Sequence, residues 1–248
     1  MRISLVQFAP AWEDRAASRS KLDELLKRDS AADWIALPEM ALSGFTMNRA
    51  AAAWERADFD FFSELARERA AWVTVGGVEG AYNTAFAFDP DGAVACRYRK
   101  RHLFSFAAEQ GAYEPGEPRA ANPGRYDLGG LRVAQAVCYD LRFAYEFWDA
   151  APSVEAYCVI AAWGAARAEQ WSALLKARAV ENQAFVIGVN RVGDEPSGNY
   201  AGGSAIYGPR GEPLLDCGAD EGVYSADIDP QEVAAWRAAF PALKDRRP

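Results

Sequence analysis

The stretch from Val133 to Phe143 constrains the chain more than any other. An apolar run, Val133-Ala134-Gln135-Ala136-Val137, ends in Cys138 and passes at once to Tyr139, Asp140 and Arg142. Such a run reads as a buried strand, and the amphipathic segment over 140–149 predicts a helix directly behind it. Cys138 would then stand at a strand–elbow–helix junction, beside the Tyr139 N–H and the start of a helix. Those groups stabilise a thiolate and a developing oxyanion. A cysteine closing an apolar strand is more commonly an inert small hydrophobe. A nucleophile needs a base and a cation supplied from elsewhere in the chain.

The remaining pattern alternates strands, helices and hairpins. Residues 2–8 read as a buried strand, 13–28 as an amphipathic helix through Leu22, Leu25 and Leu26, and 33–37 as a short strand closed by Pro38 and Glu39. Phe59, Phe62, Leu65 and Ala66 share one face of a helix over 57–71, and 72–78 is a third strand. A hairpin follows, 83–88 and 93–99, around Asp89-Pro90-Asp91-Gly92. Residues 101–124 show no period and read as a long loop. A second hairpin, 126–128 and 131–137, leads into Cys138. Beyond it come an apolar strand over 156–163, a helix over 168–182, a strand over 184–189, a hairpin of 201–207 with 213–217, a strand over 223–228, and a helix through Phe240 entered by Asp229-Pro230. Alternating βα units mixed with hairpins specify one α/β domain, 1–248, with a mixed sheet or two packed sheets flanked by helices.

The 248 residues carry a net charge of -8 and no basic run, which disfavours nucleic acid or an anionic membrane as partner. No segment is long enough to span a bilayer, and the apolar start is too short for a signal peptide, so a cytoplasmic protein is expected. Cys96, Cys138, Cys158 and Cys217 are widely spaced, which argues against a disulfide framework. With His102 the single histidine, histidine-rich zinc sites are excluded, as is any histidine-based triad not built on that residue.

Four charged residues could complete a site around Cys138. Glu39 follows a buried strand in Leu37-Pro38-Glu39-Met40 and is either a solvated strand-end charge or a general base. Lys100, in Tyr98-Arg99-Lys100-Arg101-His102-Leu103-Phe104, is either part of a surface basic patch or a cation facing the oxyanion. Glu109 in the long loop is a surface charge or a second carboxylate that positions Lys100 or the substrate. Arg142, four residues after Cys138, is a surface ion-pair partner or a guanidinium that grips a substrate carboxylate bidentately. His102 reads as a structural, hydrogen-bonded residue at the base of the loop.

Taken together, the Leu37-Pro38-Glu39-Met40, Tyr98-Arg99-Lys100-Arg101-His102 and Val137-Cys138-Tyr139-Asp140-Leu141-Arg142 segments resemble, in order, the three motifs of the nitrilase or carbon–nitrogen hydrolase superfamily. Similar echoes run on through 177–183, Asn190-Arg191-Val192-Gly193 and 200–212. The resemblance implies a four-layer α-β-β-α sandwich whose subunits pair through one helical face into a homodimer. It implies a Glu39–Lys100–Cys138 triad, with Glu109 as the additional glutamate and Tyr139, Arg142 and Trp163 near the substrate. No metal or organic cofactor is implied, since nucleophile, base and electrostatic stabiliser are all side chains. Within the superfamily the chain is most similar to the ω-amidase branch, whose members hydrolyse small dicarboxylic monoamides such as 2-oxoglutaramate and succinamate. Two departures bear on the substrate. Ala162-Trp163-Gly164 stands where Asn-Trp-Pro is usual, and Ala144 stands where Pro is frequent. The rival expectations are an N-carbamoyl amino-acid or amine hydrolase, an aliphatic amidase, a silent scaffold on the same fold, and a redox thiol protein.

Overall fold

A computed structural model describes residues 1–27, 31–118 and 124–247. The end of the helix expected over 13–28 and the stretch 119–123 of the expected long loop lie outside the described residues.

In chain order the elements are β1 (Arg2–Gln7), α1 (Arg15–Leu26), β2 (Trp34–Ala36), α2 (Arg49–Ala52), α3 (Arg56–Arg69), β3 (Trp72–Glu79), β4 (Tyr82–Phe88) and β5 (Val94–Arg99). Then come α4 (Glu109–Ala112), β6 (Arg125–Asp127), β7 (Arg132–Val137), α5 (Ala144–Trp148), β8 (Ala156–Ala161), α6 (Ala168–Asn182) and β9 (Phe185–Asn190). The chain closes with β10 (Val192–Glu195), β11 (Gly198–Ala201), β12 (Ala205–Tyr207), β13 (Pro213–Asp216), β14 (Gly222–Asp227) and α7 (Gln231–Ala239).

These strands make two six-stranded mixed sheets, β14-β1-β2-β3-β4-β5 and β13-β12-β9-β8-β7-β6, with β10–β11 as a separate hairpin. Parallel neighbours are joined through helices: β1 to β2 by α1, β2 to β3 by α2 and α3, β7 to β8 by α5, and β8 to β9 by α6. The sheets meet face to face, β1 against β9, β3 against β8, β4 against β7 and β5 against β6. Helices α1 and α3 cover the outer face of the first sheet, and α5 and α6 that of the second. The result is the expected α-β-β-α layering.

The alternation of side chains along β4 accounts for the layers. Ala85 and Ala87 face the second sheet, and their small size lets the sheets approach; Phe86 and Phe88 face α3. Trp54 stacks between Phe62 and Phe86 at 5.1 and 4.8 Å, sealing α3 onto the sheet. Each such large apolar side chain stabilises the fold by about 1.5–3 kcal/mol through burial alone.

Three local readings are corrected. The segment after Cys138 is not one helix: a 3-10 turn (Cys138–Arg142) ends at Phe143, with φ -100° and ψ 89°, and α5 starts anew. Asp140 drives the tight turn, because its carboxylate accepts the Val137 N–H at 3.0 Å and the Tyr98 hydroxyl at 2.9 Å. The loop expected over 101–124 contains a 3-10 turn (Ser105–Ala107) and the four-residue α4. The strand expected over 201–207 begins only at Ala205, because Gly202 and Gly203 adopt φ +68° and +74° and turn the chain, leaving Ala201 to end the β10–β11 hairpin.

Candidate active site

Both the base candidate and the nucleophile candidate sit where a strand has just ended and the backbone is strained. Glu39 follows β2. The Leu37 N–H donates to the Thr74 carbonyl at 2.8 Å, the Gly76 N–H to the Pro38 carbonyl at 3.0 Å, and the Ala41 N–H to the Gly76 carbonyl at 2.9 Å, so the segment is sewn onto β3 on both sides of Glu39. Gly76 is required there: a Cβ on it would lie 2.5 Å from the Glu39 Cα. Met40, next in sequence, has φ +46°, and Cys138 has φ +48°, both in the left-handed region that non-glycine residues rarely occupy.

Lys100 extends β5 by one residue, its N–H donating to the Asn83 carbonyl at 2.8 Å. Its Nζ reaches the Glu39 Oε1 at 2.8 Å and the Glu109 Oε1 and Oε2 at 3.0 and 2.9 Å. Glu39, Lys100 and Glu109 are all fully buried. The remaining carboxylate lone pairs are satisfied from the scaffold. Glu39 Oε2 accepts the Ala162 N–H at 2.8 Å and Glu109 Oε2 accepts the Phe104 N–H at 2.6 Å. A buried ion cluster is tolerated only when its members are paired in this way.

Burial by itself would lower the Lys100 pKa, but the Glu109 and Glu39 carboxylates hold it well above the ordinary lysine value. The ammonium is therefore fixed in its charged form. Burial pushes the Cys138 thiol well above its usual range, and the Glu39 carboxylate adds to this against the opposing pull of Lys100. Burial thus opposes the thiolate stabilisation expected at the elbow, and the resting sulfur is a neutral thiol whose proton must pass to a base when it attacks. Burial also raises the other thiols, Cys96 and Cys217 to about 12, and Cys158 further still. All four cysteines are free. The feature that sets Cys138 apart is its neighbours, together with its position on the wall of a cavity.

That cavity has a volume of about 600 Å³ and holds Cys138, Tyr139, Arg142 and Trp163 in its wall, with Phe45 and Phe104 among the apolar groups. Arg142 lies 4.9 Å over the Trp163 ring and donates to the Gln170 side chain. Among the described residues it has no carboxylate partner, so it is not the surface ion-pair residue of the alternative reading. Trp163 is held by its N–H on the Asn190 Oδ1 and its indole N–H on the Arg167 carbonyl, each at 2.8 Å. The structure thus brings Glu39, Lys100 and Glu109 together in contact, sets Cys138 within their electrostatic reach, and places Tyr139, Arg142 and Trp163 around the cavity whose wall includes Cys138.

Sequence reasoning missed Asn83 and the role of Asp140. The Asn83 side-chain amide donates to Glu39 Oε1 at 2.7 Å and to Glu109 Oε1 at 2.9 Å, tying the two carboxylates together. An asparagine in an alternating strand reads as solvent-facing, and only its pairing next to Lys100 could have flagged it. Asp140 links the elbow to His102, accepting its N–H at 2.9 Å and meeting its Nδ1 at 2.7 Å. His102 is structural, as expected. Among the described residues no group of three or more His, Cys, Asp or Glu side chains is arranged to hold a metal ion, and no helix is long and apolar enough to cross a membrane.

Chemically, the arrangement provides a thiol with a proton acceptor beside it, a permanent cation, and an enclosed space for a small acyl compound. Comparison with known proteins agrees with that chemistry. The family model for carbon–nitrogen hydrolases matches residues 2–238. The ω-amidase YafV of Yersinia enterocolitica is 36% identical over 255 residues, covering 99% of this chain and 96% of that protein. The 2-oxoglutaramate amidase of Bacillus subtilis is 31% identical over 260 residues, covering 99% and 97%. A carbon–nitrogen hydrolase superfamily protein from Xanthomonas campestris, solved with an arsenic adduct in its active site, superposes with a TM-score of 0.91 at 32% identity, covering 100% of this chain and 97% of that one. With the motifs, the layered fold and the buried Glu–Lys–Cys cluster in agreement, the chain belongs to the carbon–nitrogen hydrolase family.

Proposed function

We propose that the chain is a cysteine-dependent amidase that cleaves the terminal amide of small dicarboxylic monoamides, 2-oxoglutaramate and succinamate, to the acid and ammonia through a thioester. Glu39 takes the proton of Cys138 as its sulfur attacks the amide carbon. Lys100 and the Tyr139 N–H stabilise the tetrahedral oxyanion. Glu39 returns the proton to the nitrogen, the C–N bond breaks and ammonia leaves. A water that gives its proton to the same carboxylate then hydrolyses the thioester and frees the thiol. Glu109 holds Lys100, Trp163 forms the wall, and Arg142 binds the far carboxylate. The observation that carries the reading is the pairing, in one enclosed cavity, of Cys138 with an Arg142 guanidinium that lacks a carboxylate partner among the described residues. The ω-amidase and 2-oxoglutaramate amidase activities of similar proteins support it.

The test is ammonia release from both monoamides, with an N-carbamoyl amino acid and a neutral aliphatic amide as comparators. Wild type is expected to release ammonia from the monoamides and Cys138→Ala to release none. Arg142→Ala is expected to lower kcat/KM for the monoamides by roughly 10–150-fold, the worth of a charge-assisted hydrogen bond, while changing the neutral amide far less. Release only from a comparator would discard the substrate class and keep the chemistry.

The proposal includes a cytoplasmic homodimer. Tyr145 on α5 and Val180 on α6 are about half exposed on the outer helical layer, a position suited to pairing with a second copy. Val180→Asp is expected to shift the sedimentation coefficient from dimer to monomer; an unchanged coefficient would rule that face out.

A further inference from the structure

We infer that Arg167 is a second specificity-determining cation, which together with Arg142 forms a two-guanidinium clamp for the 2-oxo-carboxylate end of the substrate. The inference rests on the amidase reading above and refines its substrate class. Arg167 ends the short 3-10 turn that precedes α6 and lines the same cavity as Cys138 and Arg142. Its backbone is pinned at both ends: the N–H donates to the Gly164 carbonyl at 3.0 Å, and the carbonyl accepts the Trp163 indole N–H at 2.8 Å. Gly164 in turn bridges to Tyr200 on β11, so the turn is braced against that hairpin.

The side chain, by contrast, is left without a polar partner among the described residues. Among the described residues its guanidinium makes no hydrogen bond or ion pair and rests 5.2 Å over the Phe104 ring. Arg142 has one neutral acceptor, Gln170. Among the described residues no Asp or Glu side chain lines the cavity. Two half-buried cations with about ten N–H donors between them therefore face one space that offers no anion of its own, in a protein of net charge -8. A simple carboxylate supplies two acceptor oxygens, which one guanidinium saturates in a bidentate pair. A 2-oxo carboxylate supplies a third, the keto oxygen, in the same plane. The second guanidinium gives that oxygen a donor, and it offers nothing to a neutral chain.

The experiment compares wild type, Arg167→Ala and Arg167→Lys on 2-oxoglutaramate, succinamate and a neutral aliphatic amide, with melting curves to verify folding. Arg167→Ala is expected to lower kcat/KM roughly 30-fold for 2-oxoglutaramate, mostly through KM, and roughly 5-fold for succinamate, with the smallest change for the neutral amide. Arg167→Lys is expected to recover part of the succinamate loss and little of the 2-oxoglutaramate loss, since a point charge does not reproduce a planar fork. An equal fall on all three amides, or no fall, would overturn the clamp. A second readout separates this inference from the amidase reading. Cys138 is alkylated with iodoacetamide in the presence of 2-oxoglutarate. If wild type releases no ammonia from either monoamide, the amidase reading fails. The clamp still stands if 2-oxoglutarate protects Cys138 and Arg167→Ala weakens that protection at least 10-fold. Absent or Arg167-independent protection overturns it.

Discussion

Glu39→Gln is expected to stop turnover while making Cys138 easier to alkylate at neutral pH. Glu39 has two effects of opposite sign on the same sulfur. As the proton acceptor in the attack it contributes roughly 10²–10⁴-fold to the rate, and glutamine cannot take the proton. As a buried negative charge beside Cys138 it holds the thiol above its usual pKa, second only to burial itself. Glutamine removes that charge and leaves the Lys100 ammonium in place, so the thiol pKa falls and the thiolate fraction at a given pH rises. The measurement is the iodoacetamide rate of Cys138 against pH, beside ammonia release. The midpoint of the alkylation profile should move to lower pH in Glu39→Gln as kcat falls by about 10³-fold. A midpoint that stayed put or rose would mean that Glu39 does not hold the thiol neutral, and the resting-state assignment would fall with it.

Lys100→Met should damage both catalysis and folding. Removing an oxyanion-stabilising group costs roughly 10²–10³-fold in kcat. Removing the cation also leaves Glu39 and Glu109 facing each other, fully buried, with the Asn83 amide as their shared donor. Breaking a buried pair in this way costs about 3–5 kcal/mol, which is a large part of the stability of a single fold. Urea unfolding should show a lower midpoint with an unchanged slope. Adding Glu109→Gln to Lys100→Met should return part of the lost stability and none of the activity, because it relieves the facing carboxylates without replacing the cation. If the single variant were as stable as wild type, the cluster would not be the paired ion network that its distances describe.

The layers and the main site residues were legible in the sequence because both depend on local pattern. Two-residue alternation in β4, helical spacing in α3 and the breaks at Pro38 and Cys138 each constrain a few adjacent residues. The motifs around Glu39, Lys100 and Cys138 are similarly compact. The remainder depended on contacts between distant segments. Asn83 matters because β4 lies beside Lys100, and both carboxylates converge on its amide. The neutral state of Cys138 follows from how deeply the elbow is packed, which no spacing reveals. The elbow itself read as one helix because 140–149 is amphipathic, yet the Asp140 side chain competes for the backbone and tightens the turn. The β10–β11 hairpin was hidden because Gly202 and Gly203 end a strand that composition alone would continue.

The order in which the chain is made gives the sheet topology a further consequence. The first sheet carries Glu39 and Lys100 at the ends of β2 and β5, yet β1 obtains its antiparallel partner only from β14, at residues 222–227. During synthesis the base and the cation emerge long before the strand that closes their sheet, and Cys138 emerges after both of them, on the other sheet and still ahead of β14. Until β14 leaves the ribosome, that edge of β1 has no partner. A chain that stops short of β14 would therefore contain every reactive group and lack the strand that completes the sheet carrying two of them. A chain truncated before residue 222 is thus expected to leave one edge of β1 open to pairing with another chain.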